Sequence, residues 1–133
     1  MIEAEKAKKK ILVLDDEKHI VTYLRTLLNQ KGYEAISALS VEEALAAAHK
    51  ERPDLVILDL MMPKQTGTDF ARKIARDKDL KDIPIIIVSA LAARNLAVHN
   101  PVAVFDKPID PEKFIEAVKK ALAGVEEAEE KAS

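Results

Sequence analysis

The chain has no cysteine among its 133 residues, which excludes disulfides and thiolate metal centres. It has only three glycines, and none falls in a Gly-x-Gly-x-x-Gly or Gly-x-x-x-x-Gly-Lys pattern, which argues against nucleotide binding by a glycine-rich loop. No apolar run approaches the roughly 20 residues of a membrane span. The formal net charge of −2 gives no general reason to expect nucleic-acid binding. Lys6, Lys8, Lys9 and Lys10 precede the apolar stretch Ile11 to Leu14, but that stretch is too short for a secretion signal, which needs about 7 to 15 apolar residues. His19, His49 and His99 are isolated and make no metal-ligand spacing. What remains is 48% apolar and 33% charged, a globular composition with room for one domain.

Four short apolar runs each end in a residue suited to phosphoryl chemistry. Ile11 to Leu14 runs into Asp15 and Asp16, Leu55 to Leu58 into Asp59, Ile83 to Val88 into Ser89, and Val102 to Asp106 into Lys107. Between them lies helical periodicity. Ile20, Leu24, Leu27 and Leu28 make one apolar stripe, which Gly32 can close in the left-handed conformation. Tyr33 to Ala38 alternates weakly as a strand, and Ser40 with Glu43 forms a capping-box pattern before Ala44, Leu45 and Ala48, in a helix that ends before Pro53. Residues 68 to 79, with Phe70 and Ile74 inward, predict a third helix, and residues 91 to 99 a fourth. Asp110 and Pro111 supply an N-cap and first residue for a last helix with Phe114, Val118, Ala121 and Leu122 inward.

The order is β-α repeated five times. Strands that are apolar throughout need cover on both faces, so the expected fold is α/β, a doubly wound five-stranded parallel sheet. Right-handed crossovers put every strand's carboxyl end on one edge, where such sheets bind ligands. Asp15, Asp16, Asp59, Ser89 and Lys107 then share a crevice. Carboxylates gathered there repel by about 4 kcal/mol per pair at 4 Å and an effective dielectric near 20. Oxygen ligands alone suit a hard cation such as Mg²⁺. Asp59, ending a central strand before a turn through Met62, Pro63 and Gly67, is the expected nucleophile toward phosphorus, with Lys107 as the cation on the phosphoryl group and Ser89 as the hydroxyl that detects it.

These residues, in this order, resemble the receiver domain of bacterial and archaeal response regulators, the phospho-acceptor half of two-component signalling. The marks are Asp15 with Asp16, Asp59 with Met62, Pro63 and Gly67, Ser89 with Ala90, and Lys107 with Pro108, and the likeness covers Lys9 to Leu122. It implies a flavodoxin-like (βα)5 fold with strand order 2-1-3-4-5, a common order of doubly wound sheets of which a receiver protein is a known example. It implies Asp59 as phospho-acceptor, Asp16 and Asp59 as direct Mg²⁺ ligands, Asp15 acting through water, and the Met61 carbonyl completing the set. It implies Lys107 on the phosphoryl oxygens, Ser89 moving to bond them, and a cis Lys107–Pro108 peptide. The implied partners are a histidine kinase or phosphotransfer protein and a downstream protein target, with no nucleic acid or membrane, in a cytoplasmic monomer or weak dimer that catalyses only its own phosphorylation and dephosphorylation. Residues 9–122 are the expected receiver domain, 1–8 a basic extension and 123–133 an acidic tail.

The chain departs from the family pattern between its last two marks. The interval from Ser89 to Lys107 is shorter than usual by close to one helical turn, roughly 6 Å. The position three before the lysine, aromatic in the family, holds Val104, and Phe105 follows. Either the aromatic is absent and Phe105 is a core residue, or a bulge brings Phe105 into its place. Met61 and Leu91, at positions that in the family help set dephosphorylation, are apolar and cannot orient an attacking water, so a long-lived phosphoryl group is expected. Two other classes are open to the residues: a phosphatase of the haloacid-dehalogenase type with an aspartyl-phosphate intermediate, which would want an acid where Met61 stands, and a receiver-like binding module with a silent site.

Overall fold

The computed structural model describes residues 8–59, 67–89, 103–106 and 109–132. Its elements are β1 (Lys10–Leu14), α1 (Lys18–Gln30), β2 (Glu34–Ala38), α2 (Val41–Glu51), β3 (Leu55–Leu58), α3 (Gly67–Ala75), β4 (Ile85–Ser89), β5 (Ala103–Asp106) and α4 (Pro111–Ala132). The strands form one parallel sheet in the order β2-β1-β3-β4-β5, as expected. The helix expected over 91–99 lies outside the described residues.

Alternation along each strand divides the core in two. Leu12, Leu14, Val56, Leu58, Ile85 and Ile87 pack with Ala44, Ala48, Phe70 and Ile74 under α2 and α3. Ile11, Val13, Leu55, Ile57, Ile86 and Val88 pack with Leu24, Leu28, Phe114 and Val118 under α1 and α4. Continuous apolar runs therefore arise because successive side chains serve opposite faces, both covered by helices.

Local signals set most boundaries. Ser40 Oγ accepts from the Glu43 N–H at 3.2 Å, while the Glu43 carboxylate reaches back to the Leu39 N–H at 3.3 Å, one residue earlier than in the usual capping box. Gly32 takes the left-handed conformation, at φ 90°, just past α1. Asp110 Oδ1 accepts from the Glu112 and Lys113 N–H groups at 3.0 and 3.3 Å and opens α4. The helix expected over 68–79 stops at Ala75. Beyond it the Asp77 N–H donates to the Ile74 carbonyl in a tightened turn, and Asp77 Oδ1 accepts from the Asp79 N–H at 2.8 Å, which competes with continued helix. At the other end, α4 runs on through the acidic segment to Ala132.

Candidate phospho-acceptor site

β1 and β3 lie side by side where the strand order reverses, the switch point at which doubly wound sheets open a crevice. Leu14 and Leu58 are register partners, so the next residues, Asp15 and Asp59, emerge together at the carboxyl edge. The ladder continues through them. The Asp59 N–H donates to the Leu14 carbonyl at 2.9 Å, and the Asp15 N–H to the Ala38 carbonyl of β2 at 3.3 Å. Both backbones are thus fixed by the sheet rather than by a loop.

Both side chains are 2% exposed, and they are the two buried charged residues among those described. Asp15 Oδ1 accepts from the Glu17 N–H at 3.0 Å, folding the chain sharply into α1, while Asp15 Oδ2 and Asp59 Oδ2 are both shut off from solvent. Asp16 is half-buried and Glu17 exposed. Carboxylate oxygens of Asp15, Asp16 and Glu17 lie within 4.8 Å of one another, a group to which Asp59 does not belong. The β1–β3 register instead sets Asp59 beside Asp15 on the neighbouring strand. Glu17 is the member that pattern reading passed over; its signal is a third consecutive acid, and it occupies the N-cap of α1 without a side-chain capping bond. The Glu17 carboxylate stands 3.4 Å from the imidazole of His19.

Ser89 ends β4, opposite Asp106 in the β4–β5 register, and so reaches the same edge by its backbone. Met61, Leu91, Lys107 and Pro108 lie outside the described residues. The pairing of β4 with β5 is regular from Ala103 to Asp106, with no bulge in that stretch. Phe105 is half-buried, packed against the core under α1 and α4, and meets the Phe114 ring edge-on at 5.8 Å and 71°. Phe105 is a core residue here. No described helix is long and apolar enough to cross a membrane.

Buried carboxylates on neighbouring strand ends at the switch point of a 2-1-3-4-5 sheet define a class, the doubly wound α/β domains with an acidic carboxyl edge. The comparisons specify it. The family model for the response regulator receiver domain matches residues 11–119, and the chain belongs to that family. It is similar to protein Rrf1 of Nitratidesulfovibrio vulgaris, with 34% identity over 114 residues, 86% of this chain and 83% of that one. It is 44% identical over 82 residues to the alkaline phosphatase synthesis transcriptional regulatory protein PhoP of Bacillus subtilis, but that match covers 62% of this chain and only 33% of PhoP. Among solved structures, chemotaxis protein CheY4 of Vibrio cholerae superposes with a TM-score of 0.76 at 28% identity, covering 87% of this chain and all of CheY4. The chain is a phospho-accepting signalling domain of the two-component type.

Proposed function

We propose that Asp59 is the phospho-acceptor, receiving a phosphoryl group from a phosphohistidine of a histidine kinase or phosphotransfer protein. The observation that carries this reading is the burial of the Asp59 carboxyl beside Asp15 on two sheet-fixed backbones. Fixed backbones hold the nucleophile in a constant line of approach, which lowers the entropic part of the barrier. A carboxylate oxygen of Asp59 attacks phosphorus, the P–N bond to the imidazole breaks, and the imidazole departs with the electron pair and takes up a proton. Lys107 is the cation that receives the phosphoryl oxygens, and Ser89 the hydroxyl donor that senses them.

The donor set fits a hard divalent ion: among the described residues it consists of carboxylates, Asp15, Asp16 and Glu17 close together and Asp59 on the strand beside Asp15, with Asp15 and Asp59 buried. Asp15, Asp16, Asp59 and the Met61 carbonyl are the residues that would hold Mg²⁺. When bound, the ion neutralises charge on the transferring phosphoryl group. The protein is a switch rather than a turnover enzyme, and its chemistry is limited to gain and loss of its own phosphoryl group. Phosphorylation adds about −1.5 to −2 charges at the carboxyl edge, which changes the surface offered to a downstream protein target. The domain spans 9–122, between a basic extension at 1–8 and an acidic segment at 123–133, and it acts in the cytoplasm as a monomer or weak dimer.

Incubation with Mg²⁺ and acetyl phosphate or phosphoramidate, read by intact mass, tests the assignment. A gain of about 80 Da, the mass of one phosphoryl group, is expected for the wild type and is lost in Asp59→Asn. No adduct with any donor would sink phospho-acceptance and leave a binding-only module. An adduct that survives in Asp59→Asn would move the acceptor elsewhere.

A further inference from the structure

β2 forms an edge of the sheet, with β1 on its one bonded side. The Glu34 N–H donates to the Lys9 carbonyl at 2.9 Å, and the Ala38 carbonyl accepts from the Asp15 N–H at 3.3 Å. Glu34, Ile36 and Ala38 therefore turn their backbone groups toward β1, and the alternate residues, Ala35 and Ser37, turn theirs away from the sheet. Such an open row is a template for another strand, and proteins usually blunt it with charged side chains, proline or a bulge. Residues 35–39, Ala-Ile-Ser-Ala-Leu, contain neither charge nor proline.

Two side chains from the flanking helices occupy the row instead. Asn29, in the last turn of α1, accepts from the Ala35 N–H through Oδ1 at 3.2 Å. Glu43, in the first turn of α2, accepts from the Leu39 N–H through Oε2 at 3.3 Å. Both of these residues are exposed, so their bonds are made at the rim of the domain rather than forced by the core. Between them stands Ser37, whose N–H meets no partner among the described residues. A single unguarded residue is a short template, and adding a strand over 35–39 requires both neighbouring bonds to be given up.

We propose that Asn29 and Glu43 are edge guards that hold back strand addition at β2, and that the strand they hold back is β2 of a second copy of this chain. The edge fits itself. In an antiparallel two-fold pair, Ser37 faces Ser37 of the second copy and the two exchange N–H···O bonds, while Ala35 on each copy faces Leu39 of the other, so the outward groups of all three fall into register. Each guard is displaced on both copies when such a pair forms. Because one hydrogen bond of this kind shifts an equilibrium about fivefold, removing one guard strengthens self-association on the order of 25-fold, and removing both strengthens it further.

Sedimentation velocity on the full chain over a concentration series tests this, with amide exchange by NMR reading the edge itself. Wild type is expected to stay monomeric at concentrations where Asn29→Ala combined with Glu43→Ala forms dimers, and the Ser37 amide, fast-exchanging in wild type, becomes protected as the double variant dimerises. Asn29→Ala alone, at an exposed helix position, carries the same expectation to a smaller degree. Asn29→Asp combined with Glu43→Gln keeps both acceptors and is expected to behave as wild type, although a new negative charge at the carboxyl end of α1 weakens that helix; dimers that come merely from a weakened fold appear there too. Ser37→Pro removes the unguarded N–H without touching the bonds to β1, and added to the double alanine variant it returns the protein to monomer. The proposal is overturned by alanine variants that associate no more than wild type, by dimers that persist with Ser37→Pro or leave the Ser37 amide fast-exchanging, and by dimers of the acceptor-keeping variant. A wild-type Ser37 amide as slow as that of Ile36 overturns it as well, since the edge is then already covered.

Discussion

The Phe105–Phe114 contact decides whether the aromatic next to the missing family position is core or switch, and its energy can be worked out. Phe114 is fully buried under α4, and Phe105 reaches it from β5 with ring centroids 5.8 Å apart in an edge-on geometry. Truncating a buried phenylalanine to alanine costs about 3 to 5 kcal/mol, which approaches the whole stability of many domains, so leucine is the better probe. Phe114→Leu and Phe105→Leu keep apolar volume while removing the ring, and each is expected to cost about 1 to 2 kcal/mol. An edge-on aromatic pair is worth about 0.5 to 1.5 kcal/mol beyond its buried area, and that excess is what a double-mutant cycle isolates. For 133 residues, an unfolding entropy near 2.1 cal/mol/K per residue gives roughly 3.5 °C of Tm per kcal/mol. Each single variant should therefore melt about 4 to 7 °C low. Urea unfolding of the four proteins, with a common m-value, measures the coupling. A coupling under about 0.3 kcal/mol, or a Phe105→Leu variant as stable as wild type, would show that Phe105 is not held in the core.

Two further perturbations act at the opposite, amino-terminal edge. Arg52 caps α2 in the left-handed region at φ 47°, where a side chain costs about 1 kcal/mol, and its guanidinium reaches Asp79 at 3.6 Å across an exposed surface where an ion pair contributes little. Arg52→Gly is expected to raise Tm by about 2 to 3 °C in differential scanning fluorimetry; a lower Tm would mean that the ion pair outweighs the strain. The Lys10 ammonium is held above its ordinary pKa of 10.5, first by its hydrogen bond to Glu51 at 3.0 Å and then by that carboxylate's charge. A raised value in the folded state means that the contribution is fully present below pH 10.5 and is lost as pH rises through the folded value. The stability gap between wild type and Lys10→Met, from denaturant titrations, is thus expected to be constant near neutrality and to close in the alkaline range. A gap that widens there would refute the pairing.

Much of this was legible in the sequence because the carriers are local. Apolar runs of four to six residues, Ser40 before α2, Gly32 after α1, and Asp110 with Pro111 before α4 each act within one turn, and the structure uses each of them. The end of α3 was not legible: Phe70 and Ile74 carry the helical period, but an aspartate two residues past the last turn stops it, and nothing in periodicity weighs that competition. The limit of α4 was missed for the opposite reason, because loss of apolar pattern after Leu122 reads as a tail although the backbone hydrogen-bond ladder continues. At the strand ends, residue types singled out Asp15, Asp16 and Asp59, and the structure sets Asp15 and Asp59 side by side at the carboxyl edge. How those three divide their contacts was not readable, since the Asp15–Glu17 turn and the resulting closeness of Glu17 depend on where the chain bends into α1.

The two edges of the sheet handle charge in opposite ways, and the contrast bears on function. At the amino edge, Lys10 pairs with Glu51, His49 with Asp77, and Arg52 with Asp79, all partly or largely open to water, where such contacts are cheap to make and cheap to lose. At the carboxyl edge, Asp15 and Asp59, charges of one sign, are withdrawn from solvent on neighbouring strands. Desolvating like charges side by side opposes folding, and a sheet with apolar cover on both faces is what can bear it. A stable scaffold therefore holds its least favourable electrostatics at the one edge where the strand order reverses and a ligand can enter. A cation bound at that edge would lessen the repulsion, whereas a phosphoryl group would add about −1.5 to −2 charges there, so the two ligands act on the same buried pair in opposite senses.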